Sequence, residues 1–170
     1  AAPRGVLPAA RQRHHAGDGR EEAAIIISLG GSYCAGPMPV PDALRRCNEL
    51  LPSLAGWRAG QAAFGFRLAW LHAMLGHFSE ARELCARSVR VQEELDLTLA
   101  RAHYCETSGI IELLAENPTA AEREFRLGFE MLEPLKETSR LPTLAALLAE
   151  ALYAQGRLEE AETFLTESAK

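Results

Sequence analysis

The chain repeats one arrangement of apolar and small residues at a fixed interval. The stretches MLGHFSEARELC (74–85), LAENPTAAEREF (114–125) and AQGRLEEAETFL (154–165) align at 40-residue steps. Ala81, Ala121 and Ala161 coincide, and four residues later come Cys85, Phe125 and Leu165. Three residues before each alanine stand Phe78, Pro118 and Leu158, and two earlier again Gly76, Glu116 and Gly156. Upstream, Ala69, Gly109 and Ala149 share a small slot, followed by Leu71, Ile111 and Ala151. Residues four apart lie on one face of a helix, so each stretch predicts the end of one helix, a tight turn and the start of another.

The slots have simple physical reasons. Two antiparallel helices approach closely only where a side chain is small, and a larger one would cost about 1–3 kcal/mol in overpacking. Glycine in the turn, Gly76 or Gly156, adopts a left-handed dihedral that ends the first helix. The middle copy lacks that glycine. There Asn117 caps the second helix and Pro118 suits its first position. A fainter copy lies at the front: Ala43 in PDALRRCNELL takes the alanine slot, 38 rather than 40 residues before Ala81, and Gly31 takes the small slot of a helix before it.

This periodicity predicts eight helices, over 21–34, 41–52, 57–75, 79–95, 98–115, 118–133, 141–155 and 158–169. Ser79 and Thr98 are read as N-caps and Pro142 as a first-turn residue. Residues 134–141 are read as a connecting loop. The fold class is all-α, a right-handed solenoid of about four antiparallel hairpins with a period of about 40. Two regions follow: a basic, disordered tail over 1–20 and the helical repeat region over 21–170.

Composition sharpens the picture. Hydrophobic residues make up 48% of the 170, enough for a core, while aromatics are only 6%. Alanine and leucine, the best helix formers, dominate. The formal charge is −5, and residues 1–20 carry four arginines against one aspartate, which leaves −8 on the rest. An acidic body repels phosphates, so direct nucleic-acid binding is not expected. No apolar run approaches the roughly 20 residues that cross a bilayer. Cys34, Cys47, Cys85 and Cys105 show no CxxC spacing, and they are read as reduced, buried residues of a cytoplasmic protein.

Chemistry has few footholds. IIISLGGS (25–32) lacks the lysine of a phosphate loop; the only lysines are Lys136 and Lys170. It is read as helix. His14 and His15 are adjacent and cannot share a helical face. His72, His77 and His103 fit no zinc spacing. Of these, His72 and His103 are expected to be partly buried and His77 exposed. Glu159, Glu160 and Glu162 favour a helix N-terminus through the macrodipole. Neither catalytic residues, a metal site nor a cofactor is expected.

A helix pair with glycine in its turn and alanine five residues later resembles a tetratricopeptide (TPR) repeat. WLHAMLGHFSEARELCARS (70–88) and LAALLAEALYAQGRLEEAE (144–162) are the most similar stretches. The family's usual period of about 34 is shorter, and the longer form resembles repeats in bacterial ATPase-containing transcription regulators and adenylyl-cyclase fusions. The resemblance implies a non-catalytic scaffold for protein–protein interaction or signal relay, part of a larger protein. It also implies that the first helix of each hairpin lines a concave face. Carried over slot by slot, Phe66, Trp70, His103, Glu106, Glu150 and Tyr153 would face a partner: a protein, a peptide, a neighbouring domain or a small effector. Phe66 and Trp70 have an alternative, packing between hairpins. Ala43, Gly76, Ala81, Gly109, Ala121, Gly156 and Ala161 would serve repeat packing. Leu152, Phe164 and Leu165 would lie open on the last helix, which suggests a fragment, or a chain that self-associates through its hairpin ends.

Overall fold

The computed structural model describes residues 23–135 and 139–168, with side chains up to residue 166. The expected tail over 1–20 lies outside the described residues. The helices are α1 (23–35), α2 (Val40–Leu50), α3 (Arg58–Met74), α4 (Phe78–Glu94), α5 (Thr98–Leu114), α6 (Pro118–Leu132), α7 (Leu141–Ala154) and α8 (Leu158–Ser168). Short 3-10 turns follow α2, at Leu51–Leu54, and α6, at Glu133–Leu135. Among the described residues there is no strand.

The deeper beat is 20 residues. Gly56, Gly76, Asp96, Glu116 and Gly156 all have positive φ, between +53° and +84°. The turns at 76, 96, 116 and 156 are built alike. The N–H groups of His77, Leu97, Asn117 and Arg157 each donate back to the carbonyl five residues earlier, at 2.9, 2.9, 2.9 and 3.0 Å. This is the Schellman arrangement, which satisfies carbonyls left over at a helix end. The carbonyls of the same four residues accept from Ala81, Arg101, Ala121 and Ala161 and so open the next helix. One residue closes one helix and starts its successor, so the turn between α4 and α5 has the same length as those within the hairpins, whereas the connection from α6 to α7 is longer. The 40-residue period arises because α3, α4 and α5 each run 17 residues. In the last period α6 and α7 run 15 and 14 residues, and the longer connection over 133–140 keeps the 40-residue step.

This geometry corrects two caps. His77 and Leu97, not Ser79 and Thr98, occupy the cap positions, and neither caps with its side chain. The preceding turn fixes where the helix begins, so Ser79 and Thr98 fall inside it. Asn117 does cap: its Oδ1 accepts from the Ala120 N–H at 3.4 Å, with Pro118 at the first position. Pro142 stands in the first turn of α7.

Hairpins α3–α4, α5–α6 and α7–α8 stack, with α3 against α5 and α5 against α7 forming one layer. The core is a series of clusters, one per interface. Phe64 and Cys47 join α1, α2 and α3; Phe66, Ala81 and Ile111 join α3, α4 and α5; Phe125, Leu148 and Leu152 join α5 to α8. Each fully buried large apolar side chain contributes about 1.5–3 kcal/mol. Ala43, Ala81, Ala121 and Ala161 are all buried.

The front hairpin is irregular for a visible reason. α2 starts at Val40 and α4 at Phe78, 38 residues apart, because α2 is only 11 residues long and, even with the 3-10 turn Leu51–Leu54 after it, reaches α3 at Arg58 two residues early. The small slot of α1 is Gly30, not Gly31. A Cβ on Gly30 would sit 2.5 Å from the Phe64 ring, whereas one on Gly31 would make only ordinary contact with the Arg67 guanidinium. Leu152, expected on the open face of the last helix, is buried, because α7 is enclosed by α6 and α8. Leu165 is exposed and Phe164 half-buried, its ring edge-on to Phe129 at 5.3 Å.

Candidate functional site

In the α3–α5–α7 layer each helix carries a strip of half-buried and exposed residues. On α3 the strip is Arg67, Trp70 and Met74; on α5 it is Thr107, Ile110 and Leu114; on α7 it is Glu150, Tyr153 and Ala154. Trp70, Ile110 and Glu150 share one 40-residue slot, and Met74, Leu114 and Ala154 another. Met74, Leu114 and Tyr153 are 46%, 47% and 69% exposed. The strip therefore carries large apolar groups at the turn ends of successive first helices.

The residues expected to face a partner divide. Phe66 is buried and stacks flat on Tyr104, with ring centroids 4.0 Å apart. This corrects its placement: one position before the open strip, it joins α3 to α5 instead. Trp70 is half-buried on the strip, and Glu150 and Tyr153 are exposed. His103 and Glu106 are half-buried, and Glu106 accepts from Arg140 Nη1 at 2.8 Å, a bond that ties the approach to α7 onto α5. The expected exposure of the histidines holds: His72 and His103 are half-buried and His77 is exposed.

Arg67 was not legible in the sequence. Its Nε is buried without a hydrogen-bond partner, and the guanidinium lies against α1. It also acts electrostatically on Tyr104, whose hydroxyl burial pushes above its ordinary range while Arg67 and Arg140 pull it back. Met74 and Leu114 could have been found, since both stand two residues before a turn's left-handed residue.

α4, α5 and α6 also line an open pocket of about 250 Å³. Its charges are largely engaged with one another. Arg82 donates to both oxygens of Glu112 at 2.7 and 2.8 Å, and Arg101 lies 4.0 Å from Glu124 and donates to Cys105. The Arg82–Glu112 pair stitches adjacent hairpins together, while Arg101 and Glu124 face each other within the α5–α6 hairpin. Among the described residues no group of three or more His, Cys, Asp or Glu side chains is arranged to hold a metal ion. No helix there is long and apolar enough to cross a membrane.

A Tetratricopeptide repeat family model matches residues 67–95, the second half of α3 and all of α4. Residues 67–95 are a TPR-like helical repeat. The turn at Gly76 lies inside this match, and the same backbone turn recurs at Asp96, Glu116 and Gly156 beyond it. Comparison with curated proteins gives no match.

Proposed function

We propose that residues 21–170 form a non-catalytic TPR-like scaffold that holds an extended peptide or a neighbouring domain along the α3–α5–α7 strip. The observation that supports this reading is the set of exposed apolar groups Met74, Leu114 and Tyr153, with half-buried Trp70, on successive first helices. Large side chains left partly open at regular spacing suit a partner with side chains at regular spacing, and aromatic anchors carry much of the energy in such contacts. Glu150 adds an acidic end, so the preferred peptide combines apolar residues with a basic one. The resemblance to repeats of bacterial ATPase-containing regulators and cyclase fusions supports a place in a larger cytoplasmic signalling or transcription-regulatory protein.

The test is selection from a random peptide display library. Selected peptides should bind Trp70→Ala at least tenfold more weakly, with its helical circular dichroism unchanged. Peptides that bind Trp70→Ala and Tyr153→Ala as well as the parent would overturn the reading.

A second reading, self-association, draws on α8, where Leu158 and Leu165 are 55% and 45% exposed. Sedimentation over a dilution series separates the two. A dimer that survives dilution and dissociates on Leu165→Glu supports self-association, and a monomer throughout removes it.

A further inference from the structure

The two thiols of the first hairpin stand in different surroundings from the other two. Cys34, in the last turn of α1, is half-buried; Cys47, on α2, is fully buried. Both belong to the cluster in which α1, α2 and α3 meet. In that cluster each thiol stands close enough to the other to be the largest influence on its ionisation, and the Cys34 thiol donates to the Arg67 carbonyl on α3 at 3.6 Å. Cys85 and Cys105 lie deeper in the stack, each a free thiol.

We infer that Cys34 and Cys47 form a reversible modification site, oxidised by hydrogen peroxide to a disulfide that staples α1 to α2. Cys34 is the attacking sulfur. It has partial solvent access, and its pKa is lowered by proximity to the Cys47 thiol first, against burial, with help from the Arg67 guanidinium. The Cys47 thiol is raised by that same neighbour and by burial, which suits the second role. Burial pushes Cys85 and Cys105 each up to about 11, so neither offers much thiolate at neutral pH.

The chemistry balances. The Cys34 thiolate attacks the peroxide; an S–O bond forms, the O–O bond breaks, and the departing oxygen leaves as water after taking a proton. Cys47 sulfur then attacks the Cys34 sulfenic acid. The S–S bond forms, the S–O bond breaks, and a second water leaves with the Cys47 proton. Two thiols are oxidised by two electrons and one hydrogen peroxide is reduced. Adjacency matters because a sulfenic acid with a thiol beside it closes to a disulfide before a second peroxide reaches it.

The experiment treats the whole chain with hydrogen peroxide at neutral pH, then alkylates and digests it without reductant. The expected result is a loss of 2 Da, one crosslinked peptide joining Cys34 to Cys47, and Cys85 and Cys105 recovered as thiols. Dithiothreitol should restore the mass. In Cys47→Ala the Cys34 sulfenic acid should persist and be trapped by dimedone; in Cys34→Ala neither product should form. A Cys34 that stays reduced, passes directly to sulfinic acid in the parent chain, or pairs with Cys85 or Cys105 would overturn the inference. The mapping uses the unsubstituted chain, so its outcome does not depend on either variant folding.

Discussion

Gly109 of α5 and Phe125 of α6 occupy one space: a Cβ built on Gly109 would lie 2.2 Å from Phe125 Cε1. In the neighbouring hairpins the slot of Gly109 holds Ala69 or Ala149, and the slot of Phe125 holds the smaller Cys85 or Leu165. Small and large trade across the hairpin. Gly109→Ala should therefore destabilise the chain by about 1–3 kcal/mol through overpacking, read as a lower urea midpoint. Adding Phe125→Leu should recover part of the loss. A double variant no more stable than the sum of the two single effects predicts would refute the shared-space account.

The left-handed turn residues give a prediction with two signs. Gly76 and Gly156 hold φ of +78° and +76° without strain, while Glu116 holds +55° with a side chain. A left-handed dihedral costs a non-glycine residue about 1–2 kcal/mol. Gly156→Ala should lose about that much. Glu116→Gly should gain up to about 1 kcal/mol, the relief being offset by greater freedom of the unfolded chain. Asp96→Gly should gain less, because Asp tolerates this region better. Thermal midpoints of the three variants decide it.

How much was visible beforehand depended on where the information lay. The eight helices were legible because small and apolar residues repeat at the positions that bury them. The break at 96–97 was legible too, but not that it turns as Gly76 does. Leu95, Asp96 and Leu97 carry no glycine, and the backbone hydrogen bonds reveal that they turn as Gly76 does. Ser79 and Thr98 looked like caps because their side chains suit the role, but the position is set by the turn before them. Phe66 and Trp70 looked equivalent. They are four residues apart on α3, and one is sealed by Tyr104 while the other stays partly open, a distinction that requires knowing where α5 lies.

Two carboxylates two residues apart should respond to pH in opposite senses. Burial works against the charged form of Glu122, but hydrogen bonds from Gln155 Nε2 at 2.9 Å, Arg126 Nε at 2.9 Å and Arg157 Nη1 at 2.6 Å outweigh it. Its pKa is lowered, so its stabilising effect is complete above about 4.5, the ordinary value, and fades as pH falls below that. Glu122→Gln should cost about 1–3 kcal/mol at pH 7, with the gap to the parent closing in acid. Glu124 is raised, chiefly by burial and further by Glu112, against the nearby Arg101 and Arg123. Its ionisation opposes folding at neutral pH, so Glu124→Gln should raise stability at pH 7 and make no difference below about 4.5. Urea denaturation at pH 7 and pH 4 tests both. A loss from Glu124→Gln at pH 7 would contradict the assignment.

The Phe66–Tyr104 stack separates holding the scaffold from gripping a partner. Its rings are within 1° of parallel, and it joins α3 to α5, the two helices that carry Trp70, Met74 and Leu114. Stacked pairs add about 0.5–1.5 kcal/mol beyond the area they bury. A double-mutant cycle with Phe66→Leu and Tyr104→Leu should show coupling of that size, and additivity within about 0.3 kcal/mol would mean that the rings do not act as a pair. The same variants bear on binding. At a temperature where Phe66→Leu stays folded, it should change peptide affinity less than twofold, because its ring never reaches the open strip. Trp70→Ala should do the reverse, leaving the urea midpoint less affected and removing at least tenfold of the affinity. If Phe66→Leu weakens binding as much as Trp70→Ala does, the strip is not an independent surface, and the partner's hold depends on how α3 sits against α5.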